Sequence, residues 1–338
     1  MNLRKSVFTA LIITLAGLSA QAQFQFQPQQ GGPLIRLQSM DPAFDKLVSK
    51  DAKAEVLADG FMWCEGPVWI EKHKMLVFSD VRKNIIYKWT QEKGKEVYLE
   101  PSGYTGSIPR GGEMGSNGLG LNPAGELVIC QNGDRQIAVM DAPLDKPQPK
   151  YKVLAANYNG LKFDSPNDIA FLDNGDIYFT DPPYGLEKNV NDPLKEAKYQ
   201  GVYRIAKKDG KVTLLTTEIT RPNGIGVFPG GKQILIANSD PANPVWYTYD
   251  LDKDGLLANG RVFYKATGQG FGSPDGLKID KEGNVFATGP GGLWIFDKTG
   301  KLLGRIMIDM LTSNCSFSAD QKTLYVTNTN RVLKITLR

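Results

Sequence analysis

Six oxygen-bearing residues hold the same position in six related stretches of the chain: Glu65, Asn117, Asn167, Asn223, Asp275 and Asn314. Each stands just ahead of a short apolar run, as in Glu65-Gly66-Pro67-Val68-Trp69, Asn117-Gly118-Leu119-Gly120-Leu121 and Asp275-Gly276-Leu277-Lys278-Ile279. Two of the six are acids and none is apolar or cationic. A hard divalent cation takes roughly 6–8 such oxygens from carboxylates, amide carbonyls and water. Zinc or copper centres normally show His or Cys, and neither type occupies these positions. Asn-Gly and Asp-Gly are also ordinary turn dipeptides. Against a plain turn, the oxygen persists at Asn167-Asp168 and Asn314-Cys315, where no glycine follows, and the first copy uses Glu65, a poor turn former. The expectation is one divalent cation, Ca²⁺ foremost, with Mg²⁺, Mn²⁺ or Zn²⁺ as substitutes.

These residues need elements that bring them together. Successive leading residues are 52, 50, 56, 52 and 39 positions apart. Eight residues beyond each lies a polar turn, at His73, Gly125, Gly175, Gly231, Gly283 and Lys322, and after each turn comes a strand-like run. Those runs are 75–78, 127–130, 177–180, 234–236, 285–288 and 324–327. Periods of about 40–50 residues with several short strands each indicate a β-propeller or related array. No long stretch has a 3.6-residue apolar period, so the fold is expected to be all-β. After Asn314 only 24 residues remain, enough for three strands. An unpaired outer edge would invite association, and Ala54-Glu55-Val56-Leu57-Ala58 is placed to supply the missing strand. The fold predicted is a six-bladed β-propeller over 51–338, with this N-terminal strand closing the last blade.

The 338 residues begin with Arg4 and Lys5, an apolar run 7–18, and Ala20-Gln21-Ala22. That is the pattern of a secretory signal peptide over 1–22, too short to span a bilayer. The protein is therefore expected to be exported, to the periplasm, with no membrane span. Residues 23–50 start as a Gln/Pro/Gly-rich segment, read as a flexible or loosely docked arm. Beyond residue 22, 38 Lys and Arg are scattered among 36 Asp and Glu. No basic stripe forms, so nucleic acid is not an expected partner. Cys64, Cys130 and Cys315 make no C-x-x-C pair, so no thiolate metal site is signalled. Cys64 and Cys315 flank two leading residues, which leaves a disulfide between them open.

The one histidine, His73, falls in a turn about 17–20 Å from Glu65 for a strand of ordinary length. A histidine-dependent triad is thereby disfavoured, and hydrolysis would run on a cation, carboxylates and water. A second polar set returns to the same end of the strands: Ser79-Asp80, Gln131-Asn132, Asp181, Asn238-Ser239 and Asn328. Asp181 precedes Pro182-Pro183-Tyr184-Gly185, which opens an insertion over 186–200 that is either a lid or a passive surface loop.

Glu65-Gly66-Pro67-Val68-Trp69, Ser165-Pro166-Asn167-Asp168, Tyr178-Phe179-Thr180-Asp181-Pro182-Pro183-Tyr184-Gly185, Pro222-Asn223-Gly224-Ile225 and Ser273-Pro274-Asp275-Gly276 resemble the motif set of the SMP-30/gluconolactonase/LRE-like family. The likeness spans about residues 60–330 in the family's order. It implies a six-bladed propeller with a divalent cation in the channel and hydrolysis of sugar lactones. By this resemblance Glu65, Asn223 and Asp275 take the ligand places, Asn167 a substrate-binding place beside them, and Asp275 that of general base. The sequence departs from the family at Cys130-Gln131-Asn132-Gly133-Asp134-Arg135, where bacterial relatives often carry an acid and a histidine after the cysteine.

Two functions fit this reading. One is a lactonase in which Asp275 deprotonates water while Asn117, Asn167, Tyr184 and Asp181 contact a small sugar lactone. The other is a non-catalytic propeller with a structural cation that binds a sugar or a protein. A monomer or weak homo-oligomer is expected in either case.

Overall fold

A computed structural model describes residues 33–266 and 270–338, so the expected leader lies outside the described residues. Strands form where β-branched and aromatic residues alternate between polar turns. Four consecutive strands form the antiparallel sheet of each of the first five blades. Blade 1 comprises Cys64–Ile70, Met75–Asp80, Ile85–Thr90 and Gly94–Leu99. Blade 2 comprises Ser116–Leu121, Leu127–Gln131, Gln136–Met140 and Tyr151–Ala155, and blade 3 comprises Ile169–Phe171, Ile177–Asp181, Gly201–Ile205 and Val212–Thr216. Blade 4 runs through Pro222–Val227, Gln233–Asn238, Val245–Leu251 and Leu257–Lys265. Blade 5 has Leu277–Ile279, Val285–Gly289, Gly292–Phe296 and Leu302–Ile308. Blade 6 takes Asn314–Phe317, Thr323–Asn328 and Arg331–Thr336 from the C-terminus, and Ala54–Asp59 pairs antiparallel onto Arg331–Thr336 as its outer strand.

The apolar faces meet between blades rather than in one centre. Val68, Val77, Leu119 and Ile129 fill the space between blades 1 and 2. Cys130, Ile169 and Phe179 do so between blades 2 and 3, Tyr178, Ile225 and Ile234 between 3 and 4, and Leu235, Trp246, Leu277 and Trp294 between 4 and 5. Phe286, Leu293, Cys315 and Leu324 join blades 5 and 6, and Cys64, Phe78, Tyr325 and Val332 close the ring from blade 6 to blade 1. All three cysteines are buried and free, and Cys64 and Cys315 belong to different interfaces.

Of the stretch read as a loose arm, residues 23–32 lie outside the described residues, and residues 33–50 are docked on the blades. Ile35–Ser39 adds a fifth strand to blade 5, pairing antiparallel with Leu302–Ile308. Phe44 and Val48 are 1% and 0% exposed in the core between blades 5 and 6. The Gln/Pro/Gly composition of 23–33 hid the apolar anchors that follow it.

The Asn-Gly and Asp-Gly pairs at the leading positions are not turns. Asn117 and Asn223 lie inside the innermost strands of their blades, and the glycine that follows four of the six leading residues permits close approach to the next blade. A Cβ on Gly224 would stand 2.1 Å from the Asp275 carbonyl oxygen, and one on Gly118 2.5 Å from that of Asn167. The Gly118 N–H donates to that same Asn167 oxygen at 2.7 Å. Second-strand hydroxyls add further stitches: Ser79 Oγ donates to Asn117 O, Thr180 Oγ1 to Asn223 O, and Thr288 Oγ1 to Ser313 O. The strand ladder slips at the leading residues, between Glu65 and Val68, Ser116 and Leu119, and Pro222 and Ile225. Such irregularities re-aim side chains, here toward the channel mouth.

Candidate active site at the channel mouth

A cavity of about 230 Å³ opens where the innermost strands begin. Glu65, Asn117, Asn167, Asn223 and Asp275 all line it, from blades 1 to 5. Tyr184 joins them from the loop after blade 3's second strand, its Oη 2.6 Å from Ser239 Oγ. Asn314 does not reach the lining; its Nδ2 donates to Glu65 Oε2 at 3.3 Å and so orients that carboxylate from behind. Glu65 Oε2 also accepts the Gly66 N–H at 2.9 Å.

Asp181 departs from its expected substrate-binding place. Its two oxygens accept the backbone N–H groups of Asp164 at 2.9 Å and Ser165 at 2.7 Å, and it does not line the cavity. The same device recurs around the ring. Asp80 accepts from the N–H groups of Met62 and Trp63, Asn238 Oδ1 accepts from Arg221 N, and Asn328 Nδ2 donates to Met310 and Leu311 carbonyls. The polar residue ending each of these second strands therefore holds the backbone that leads into the innermost strand. The 186–200 insertion is pinned down: Leu186 is fully buried, Lys195 pairs with Asp164, and Arg135 donates to the Leu194 carbonyl. His73 sits in the turn after Cys64–Ile70 and is not among the lining residues.

Several lining residues were not expected. Trp63, Ser273 and Thr312 lie two positions before Glu65, Asp275 and Asn314. Side chains two apart in extended chain share a face, so the repeat contained that signal. Glu113 had no such signal, because it sits on the glycine-rich loop between blades 1 and 2 and has no counterpart in the repeat.

Three carboxylates line the cavity, Glu65, Glu113 and Asp275, with no Lys, Arg or His among the lining residues. Burial pushes Glu65 up to about 8, and repulsion from Asp168 and Glu113 works the same way. Burial likewise holds Asp275 well above the usual carboxylate range, reinforced by Glu65, Glu113 and Asp168 and opposed by a hydrogen bond with the Asn223 side chain. Among the described residues no group of three His, Cys, Asp or Glu side chains is placed to hold a metal alone. Glu65, Asn223 and Asp275 nevertheless fit a hard divalent cation completed by water: the donors are all oxygen, and two carboxylates lack any counter-charge in the lining. A larger, open groove of about 730 Å³ lies along the outer turns of blade 4, between Phe228 and Lys232 and between Asp250 and Lys253. It gathers no comparable set of convergent groups.

The SMP-30/Gluconolactonase/LRE-like region matches residues 63–330. The chain is 35% identical over 351 aligned positions to a gluconolactonase of Zymomonas mobilis subsp. mobilis, covering 99% of this chain and 97% of that one. A solved Xanthomonas campestris gluconolactonase, described as important in glucose secondary metabolic pathways, superposes with a TM-score of 0.78 at 26% identity, over 92% of this chain and 96% of the other. A solved putative gluconolactonase gives a TM-score of 0.77 at 28% identity, over 90% and 98%.

Proposed function

The chain belongs to the SMP-30/gluconolactonase/LRE-like family, and on that premise we propose that it is an exported, cation-dependent lactonase acting on sugar lactones. The observation that carries this reading is the cavity itself, in which carboxylates, amides and hydroxyls converge on about 230 Å³ at one mouth of the channel. That volume suits a single small ring and not a polymer. The Zymomonas relative, similar along nearly its whole length, supports the gluconolactonase-like activity. The basic start, apolar run and Ala20-Gln21-Ala22 support export to the periplasm.

Glu65, Asn223 and Asp275 would hold the cation. Bound there, a divalent cation supplies Lewis-acid polarisation of the lactone carbonyl and stabilises the oxyanion that develops on it. Asp275 takes the proton from the attacking water, because it is a ligand-side carboxylate open to the cavity and cationic side chains do not compete for it. Asn117 and Asn167 each offer an amide donor and acceptor for ring hydroxyls. Tyr184, held by Ser239, presents a hydroxyl on the same wall. Its phenol stays protonated, because burial pushes it up to about 12.

The test is hydrolysis of a panel of aldonolactones by the mature protein, with and without chelator. Turnover that disappears on chelation and returns with Ca²⁺ is expected. A protein that binds Ca²⁺ and turns over none of the panel would instead be a binding propeller.

A further inference from the structure

We propose that Glu113 is a catalytic residue of this site, the acid that returns a proton to the lactone ring oxygen as the acyl bond breaks. The inference rests on the lactonase reading above and adds a residue that the repeat does not contain. Lactone opening needs two proton movements. Water oxygen bonds to the carbonyl carbon and loses a proton. The acyl C–O bond then breaks, its electron pair goes to the ring oxygen, and that oxygen must gain a proton to leave as a hydroxyl. Asp275 answers the first need. An alkoxide leaving group is too basic to depart unaided at neutral pH, so an acid must reach the ring oxygen, and one across the ring from Asp275 can do so while Asp275 still holds the water's proton.

The position of Glu113 meets that requirement. In a ring of six blades, blade 2 faces blade 5. Glu113 reaches the cavity from the loop just before blade 2, and Asp275 reaches it from the start of blade 5. The loop is held in place at both ends. Asn84 Oδ1 accepts the N–H groups of Gly103 at 2.7 Å and Tyr104 at 3.0 Å, and Gly115 N donates to Val81 O at 2.7 Å. Between them, Arg110 donates to the carbonyls of Gly133 and Gly185, tying the loop to the one that carries Tyr184. The Glu113 carboxylate is thus held at the cavity wall, with Arg82 as its ion-pair partner. The nearest cation, Arg82 Nη2, is 3.9 Å away and half exposed. The charged and titratable groups around Glu113 are Arg82, Glu65, Asp275 and Tyr184. Burial raises Glu113 to about 7, against the pull of Arg82, which suits an acid working near neutrality. After turnover the proton on Asp275 and the vacancy on Glu113 are equalised through solvent, and the product is the hydroxy acid.

The experiment compares two substrates on the Ca²⁺-loaded full-length mature protein: an aldonolactone, whose leaving group is an alkoxide, and an aryl lactone such as dihydrocoumarin, whose phenolate leaves without a proton. For Glu113→Gln, kcat on the aldonolactone should fall about 10²–10⁴-fold with KM within threefold, and its alkaline limb should vanish. On the aryl lactone kcat should stay within threefold, and calorimetric Ca²⁺ affinity should be unchanged. Equal losses on both substrates, a rise in KM alone, or weakened Ca²⁺ binding would each overturn the assignment, as would a normal kcat. Glu113→Asp keeps an acid on a shorter arm and should recover part of the aldonolactone rate, which settles the matter if the glutamine variant folds poorly. Wild-type protein inactive on every lactone would instead sink the lactonase reading itself.

Discussion

Asp275 and Glu65 are the two carboxylates proposed to hold the cation, with different proposed duties, and substitution should separate them. Asp275→Asn keeps an oxygen at the cation place but removes the proton acceptor. Its kcat is expected to fall about 10²–10⁴-fold with Ca²⁺ still bound in calorimetry; a normal kcat would point to a base other than Asp275. Glu65→Gln removes charge, and its principal loss should be in Ca²⁺ affinity. His73→Ala should change neither. A carboxylate outside the site contributes to acid stability. Asp176, beside blade 3's second strand, feels burial pushing it up, but the Lys207 N–H, the Arg204 guanidinium and Asn174 outweigh this and hold it below 3.8. A depressed pKa in the folded state means stability present above the unfolded value and lost as pH falls through the folded one. Asp176→Asn should therefore flatten the drop in Tm below about pH 4 while lowering Tm near neutrality.

At the scale of elements, the repeat could be read because its copies share an oxygen-bearing residue ahead of the innermost strand and a turn eight residues on, with a glycine directly after the leading residue in four of the six. The leading residues and their second strands followed from that pattern. The purpose of the glycines did not, since Asn-Gly looks identical whether it turns the chain or admits a neighbour's backbone. Gly224 decides between the two, because a methyl there would meet the Asp275 carbonyl oxygen at 2.1 Å without any positive φ. Gly224→Ala is expected to cost about 1–3 kcal/mol in chemical denaturation, from overpacking. It should also lower activity, since the displaced backbone is the one that aims Asp275. Full stability and full activity in this variant would mean that blades 4 and 5 are less tightly apposed. For Asp181 the place at the mouth end of a strand is legible in sequence, but its direction depends on the backbone N–H groups of Asp164 and Ser165 that it accepts.

Over the whole molecule, the ring is held by six apolar interfaces and by the return of the chain's beginning to its end. Local sequence could indicate that blade 6 lacks a strand, but not that blade 5 takes one more, because that strand pairs across some 265 residues. The two N-terminal strands should therefore contribute separately. A chain beginning at Lys50 keeps Ala54–Asp59 and loses Ile35–Ser39 with Phe44 and Val48. Fully burying such side chains is worth roughly 1.5–3 kcal/mol each, so its Tm should fall by several degrees while the blades remain closed. A chain beginning at Gly60 loses the closing strand as well, exposing the unpaired edge of Arg331–Thr336. It should melt lower still, aggregate with concentration, and lose Ca²⁺ affinity, because Asn314 behind Glu65 belongs to that opened blade. If both shortened chains melt together, Ala54–Asp59 contributes no closure and blade 6 is stable on three strands.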